Sequence, residues 1–133
     1  ETLAWAMPNG WMWQIPTQKR YGCGYVYSSK FVSDAQALKE MEEITGRKID
    51  PIRIIKFEPG RQEEVWKKNV ICFGLASNFL EPLEATSISF MADITARSMW
   101  ITNKSLSVDM ANKFYSIRIK EIENVIMIHY FAG

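Results

Sequence analysis

The stretch from Val70 to Ile88 constrains the fold of this chain more than any other. It opens on a short apolar run, Val70 to Phe73, of the kind that fills a buried strand. Gly74 and the small residues Ala76 and Ser77 follow, where a ligand can approach the backbone closely. Two carboxylates then flank a proline and a leucine, Glu81-Pro82-Leu83-Glu84, before Ala85-Thr86-Ser87 leads into a helical pattern. Strand, small-residue loop and helix start in that order make a place where backbone N–H groups can hold an anion. Glu84 falls beside it, and a carboxylate next to an anion site is costly unless chemistry requires it.

Ahead of this stretch, Ala4 to Ile15 reads as two extended pieces broken at the turn Pro8-Asn9-Gly10. Trp11, Trp13 and Ile15 alternate with Met12 and Gln14, which puts both tryptophans on one side of a strand. Tyr21 to Ser28 alternates again: Tyr21, Cys23, Tyr25 and Tyr27 share one face, Gly22, Gly24 and Val26 the other. The two strands form an antiparallel hairpin, and its glycine face allows an aromatic ring to lie flat. Gly22 and Gly24 lack the third glycine of a dinucleotide loop, and alternation runs straight through them, so no such loop is assigned.

Ser33 and Gln36 make a capping box for a helix over 34–45. Leu38, Met41 and Ile44 form its apolar face, Lys39, Glu40, Glu42 and Glu43 its wet face, and Gly46 its C-terminal stop. Ile52 to Phe57 reads as a strand, Glu58-Pro59-Gly60-Arg61 as a turn, Gln62 to Trp66 as the partner strand, and Val70 to Phe73 as the last strand. Beyond Glu84 the period becomes helical to about Trp100. Ser107 then caps a second long helix whose stripe runs Val108, Ala111, Tyr115, Ile119, Ile122, Ile126, His129. Phe114, Ile117, Val125 and Ile128 widen that stripe into a belt that implies burial on more than one side. The fold class is α+β: antiparallel strands and a short helix, then two long helices.

The 133 residues suit one domain, strand-rich over 4–74 and helical over 84–131. Sixteen basic residues balance fifteen acidic ones, so nothing draws the chain to nucleic acid. No apolar run has membrane-spanning length, and no signal-peptide pattern is present. Cys23 and Cys72 read as free buried thiols of a reducing cytoplasm, and with His129 distant they make no metal cluster. The aromatic crowd of the first quarter either lines a pocket for a flat ligand or fills a core, with the core preferred.

Phe79 to Ile88 closely resembles a signature segment of the flavin-dependent tryptophan halogenases. Gly10-Trp11-Met12-Trp13-Gln14-Ile15-Pro16 fits that family's Gly-Trp-x-Trp-x-Ile-Pro motif in full. The resemblance extends through Gly24 to Lys30, Gly60-Arg61, Trp66 and Asn69, from Ala4 to about Tyr130. It implies part of the flavin monooxygenase-like halogenase fold. It also implies an enzyme using reduced FAD (supplied by a separate flavin reductase), oxygen, and chloride or bromide. Hypochlorous acid formed there would pass down a tunnel to an electron-rich aromatic substrate such as tryptophan.

By the same resemblance, Gly74, Leu75 and Ile88 contact the flavin, with Trp11 and Trp13 close to it. The backbone N–H groups of Thr86 and Ser87 face the halide, and Glu84 stands at the substrate. For the tryptophans, plain strand packing is the competing reading. Glu81 reads instead as a carboxylate favoured by the positive end of the helix. Where the family has Ser-Thr-Gly after the glutamate, this chain has Ala85-Thr86-Ser87. No Gly-x-Gly-x-x-Gly loop is present for the adenosine half of FAD. The chain thus matches the central-to-late portion of such an enzyme, with the N-terminal portion as an expected partner. The alternative is a noncatalytic halogenase-like remnant or interaction domain.

Overall fold

The computed structural model describes residues 1–83, 86–103 and 106–131, with the backbone alone for 100–102. They fall into two compact units, Glu1–Ile55 and Lys56 onward.

In the first unit, β1 (Leu3–Met7), β2 (Gly10–Pro16) and β3 (Tyr21–Tyr27) form an antiparallel sheet in the order β1-β2-β3. The register Trp5↔Met12↔Tyr25 and Ala4↔Trp13↔Gly24 sorts the side chains onto two faces. Met7, Met12 and Met41 pack together on one, with Tyr25 and Ile49 against them. Trp11 and Trp13 lie on the other face. Each has a small residue beside it on β1, Ala6 and Ala4, so the indoles have room to lie along the sheet.

α1 (Asp34–Thr45) begins at the expected capping box: the Gln36 N–H donates to Ser33 Oγ, and the Ser33 N–H to the Gln36 side chain. It stops at Gly46, whose φ of 64° is the left-handed geometry a C-terminal cap needs. Its buried face differs from the expected one. Ala37 and Met41 are buried, whereas Ile44 is exposed. Glu40 turns inward because two donors claim it: Tyr25 Oη donates to Oε2 at 2.6 Å and Asn9 Nδ2 to Oε1 at 2.6 Å. The Asn9 N–H donates to Tyr25 Oη at 3.1 Å, closing a triangle between a turn, a strand and a helix. Tyr27 Oη likewise donates to Asp34, so two of the three tyrosines of β3 tie the sheet to α1. Cys23 is exposed rather than buried, since β3 is an edge strand; both cysteines are free thiols.

The expected strand from Ile52 to Phe57 forms no ladder, and Ile52 is 94% exposed. The reason lies in its pairing. The turn at Pro59 does not fold the chain back on residues 62–66. It leads into β4 (Gly60–Arg61), which pairs instead with β7 (Asn78–Phe79), some seventeen residues on.

Between them lie β5 (Trp66–Lys67) and β6 (Val70–Ile71), a hairpin whose turn holds Lys68 at φ 56°. The strand at Val70 is therefore neither four residues long nor the last. Asn112 of the second long helix grips this hairpin from the side. Its Oδ1 accepts from the Trp66 N–H at 3.0 Å and its Nδ2 donates to the Trp66 carbonyl at 2.8 Å.

Two helices complete the second unit, α2 (Thr86–Thr102) and α3 (Val108–Phe131). Ser107 Oγ accepts from the Met110 N–H, the N-cap the sequence calls for. Val65, Phe90, Ile94, Tyr115 and Ile119 form the core, with Leu80, Phe114 and Ile122 against it. The stripe of α3 is buried at Ala111, Tyr115, Ile119 and Ile126, but the flanking Ile117, Val125 and Ile128 are exposed, as is His129. Among the described residues, no helix is long and apolar enough to cross a membrane.

Candidate functional site

After β6 the chain enters a 3₁₀ turn, Gly74–Ala76. Gly74 sits at φ 55°, where a side chain would be strained. Ser77 fixes the turn: its N–H and hydroxyl both donate to the Gly74 carbonyl, at 2.9 and 2.7 Å. The Ser77 carbonyl in turn accepts from Tyr115 Oη at 2.9 Å and from the Gln62 N–H at 2.8 Å. A buried serine thus binds the turn to the core helix α3 and to the strand region after β4. With its base so held, Leu75 projects outward, 75% exposed.

The 3₁₀ turn packs against α2. A side chain added at Gly74 would meet the sulfur of Met91 at 3.4 Å. Ile88, one helical turn before Met91, is 66% exposed. Large apolar side chains held out from a fixed backbone are suited to a flat apolar ligand, which covers them at a gain of roughly 25 cal/mol per Å².

Thr86 and Ser87 form the first turn of α2. Backbone N–H groups there have no carbonyl four residues earlier within the helix to bond. The first turn carries no acidic residue, so its partial positive charge is not offset from within the turn. Among described non-glycine residues Lys68 alone has positive φ, so Ser87 takes ordinary angles. Serine in place of glycine therefore costs no backbone strain at this position.

The segment before α2 is anchored on both sides of Pro82. Leu83 is buried at 2% exposure and Glu81 at 7%, with Tyr130 Oη donating to Glu81 Oε1 at 2.6 Å. Glu81, expected to answer the helix dipole, is also held by a phenol from the far end of α3. Glu84 lies outside the described residues.

The structure therefore packs the turn that carries Gly74 and Leu75 against α2 at Met91, on the helix that carries Thr86, Ser87 and Ile88. Trp11 and Trp13 belong to the sheet of the first unit, half-buried, with the Trp13 ring on Gly24. Sequence reasoning missed Ser77 and Tyr130. Ser77 was read only as a small residue, and Tyr130 lies one position beyond the α3 stripe, so periodicity did not mark it.

The family model described as tryptophan halogenase matches residues 1–133. A tryptophan 7-halogenase from Lentzea aerocolonigenes is 41% identical over 92 residues, 68% of this chain and 17% of that protein. A tryptophan 6-halogenase from Streptomyces albogriseolus is 31% identical over 138 residues, 98% of this chain and 26% of that protein. Among solved structures, a flavin-dependent halogenase from Xanthomonas campestris superposes with a TM-score of 0.83 at 34% identity, over 97% of this chain and 27% of that one. The chain thus spans about a sixth to just over a quarter of the length of these proteins.

Proposed function

The chain belongs to the tryptophan halogenase family, and from that premise we propose that it serves the chlorination or bromination of an electron-rich aromatic substrate such as tryptophan. The reaction draws on reduced FAD delivered by a flavin reductase, oxygen and a halide. The observation that carries this reading is the packing of the Gly74 turn against α2, whose first turn presents N–H groups free of acidic neighbours within the turn.

Leu75 and Ile88 fit the ring end of a flavin, two exposed apolar side chains, with Gly74 giving the left-handed turn that carries Leu75 outward. They do not fit its pyrophosphate, for which the sequence holds no Gly-x-Gly-x-x-Gly loop. When bound, reduced FAD supplies the electrons that let oxygen oxidise the halide. This chain's own residues do the rest. Thr86 and Ser87 hold the halide by backbone N–H groups, which recognise charge without adding a proton. Glu84 stands at the substrate, where a carboxylate orients the halogenating species, stabilises the developing ring cation, or accepts the proton lost on rearomatisation.

The alternative, a noncatalytic remnant, draws on Ser87 in place of glycine and on the missing Gly-x-Gly-x-x-Gly loop. Ordinary angles at Ser87 answer the first ground, and the second stands. The test is mass-spectrometric detection of a chlorinated or brominated aromatic when the full-length parent protein is supplied with reduced FAD, oxygen and halide. Flavin oxidation without any halogenated product, across indoles and phenols, would leave the noncatalytic reading standing.

A further inference from the structure

Glu81 is a carboxylate buried to 7% exposure five positions ahead of α2. A charge or polar group so placed must be hydrogen-bonded to be tolerated. Tyr130, 49 residues further along and in the last turn of α3, donates to it at 2.6 Å. The neighbouring His129 is engaged with the Val125 carbonyl instead. The contact joins the end of one helix to the loop that delivers the chain into the first turn of the other. Leu83, at 2% exposure, pins the same loop on the far side of Pro82. Two anchors on either side of a proline leave the start of α2 little freedom to shift.

We propose that Tyr130 is a positioning residue: through Glu81 it sets where the chain enters α2, and so where the first-turn N–H groups of Thr86 and Ser87 stand. The inference rests on the halide role proposed above for those groups. It adds a residue that touches neither halide nor substrate and that sits more than forty positions from the segment it controls.

Two readouts test it. In hydrogen–deuterium exchange on the 133-residue chain, Tyr130→Phe raises exchange roughly tenfold in the second turn of α2, whose N–H groups are bonded within the helix, as loss of a hydrogen bond that fixes the helix start requires. The β1–β3 sheet keeps its wild-type rates. In the full-length parent, the same substitution raises the half-saturating halide concentration roughly tenfold while flavin oxidation is unchanged.

Glu81→Gln, which still accepts the phenol's hydrogen bond, stays within about twofold of wild type in both. Uniform exchange gain across the chain, a Tyr130→Phe chain that fails to fold, or Glu81→Gln behaving like Tyr130→Phe would each overturn the assignment. A wild-type parent that makes no halogenated product sinks the halide reading and this inference with it. Product formation with unchanged halide dependence in Tyr130→Phe overturns the positioning role alone.

Discussion

The indole of Trp13 occupies the space that a side chain on Gly24 would need. A Cβ built there falls 2.6 Å from two ring carbons and 2.7 Å from Nε1. The pair faces across β2 and β3 in direct register, so glycine is what lets the ring lie on the strand.

Gly24→Ala therefore forces the ring off the sheet. We expect a loss of about 1–3 kcal/mol, the usual cost of overpacking, read as a lower urea midpoint with an unchanged slope. A midpoint equal to wild type would show that the indole has somewhere else to go.

Alkaline pH should loosen the first unit. Burial first, then the hydrogen bond to Glu40, pushes the Tyr25 phenol from 10.0 up to about 12. Burial and Asp34 do the same for Tyr27. Folding thus favours the neutral phenols. Their contribution to stability is complete below pH 10 and is lost as pH rises through about 12. Denaturant midpoints should fall across that window, and less steeply in Tyr25→Phe/Tyr27→Phe. An equal fall in the double variant would assign the loss to other groups.

The sequence was most legible where local chemistry settles the matter. Ser33 and Gln36, Gly46, the Pro8-Asn9 turn and the Trp13–Gly24 face all stand where the pattern puts them. Pairing over distance was not legible. The apolar run from Ile52 looks like a strand because composition records propensity, whereas a ladder needs a neighbour, and Gly60-Arg61 finds its neighbour at Asn78-Phe79. Glu40 looked like a solvated residue for a similar reason, since its donors come from a turn and a strand far back in the chain. At the candidate site, the motif marks Gly74, Leu75, Thr86, Ser87 and Ile88. The hydrogen bonds from Ser77 to Gly74 and from Tyr130 to Glu81 are visible only in three dimensions.

Glu84→Gln in the full-length parent should cut halogenation by roughly two to three orders of magnitude, the scale of losing a well-placed charged partner. Flavin oxidation should be spared. Product yield per flavin oxidised measures this directly, and an unchanged ratio would make Glu84 a structural residue.

If backbone N–H groups hold the halide, side chains at those positions are dispensable and the N–H groups are not. Ser87→Ala should keep the halide dependence within about twofold. Thr86→Pro deletes an N–H at the first helical position, where proline fits. It should raise the half-saturating halide concentration by roughly tenfold or more. Titrating chloride against product formation distinguishes them, and equal behaviour of the two variants would move the halide elsewhere.

The 133-residue chain by itself should release FAD on dialysis, because the ring contacts proposed for Leu75 and Ile88 come without a pyrophosphate loop. Retained flavin absorbance would require a phosphate site of another kind.

Asn112 has a consequence for how this chain tolerates changes of length. A two-residue ladder would ordinarily depend on its own tip for register, so that any insertion there would let the strands slide. Here both backbone groups of Trp66 are held by an amide that belongs to α3. The hairpin is indexed from the helix, not from the Lys68-Asn69 bend. Its tip can gain residues while Trp66 keeps its address, which makes it the natural place to splice in a tag or reporter.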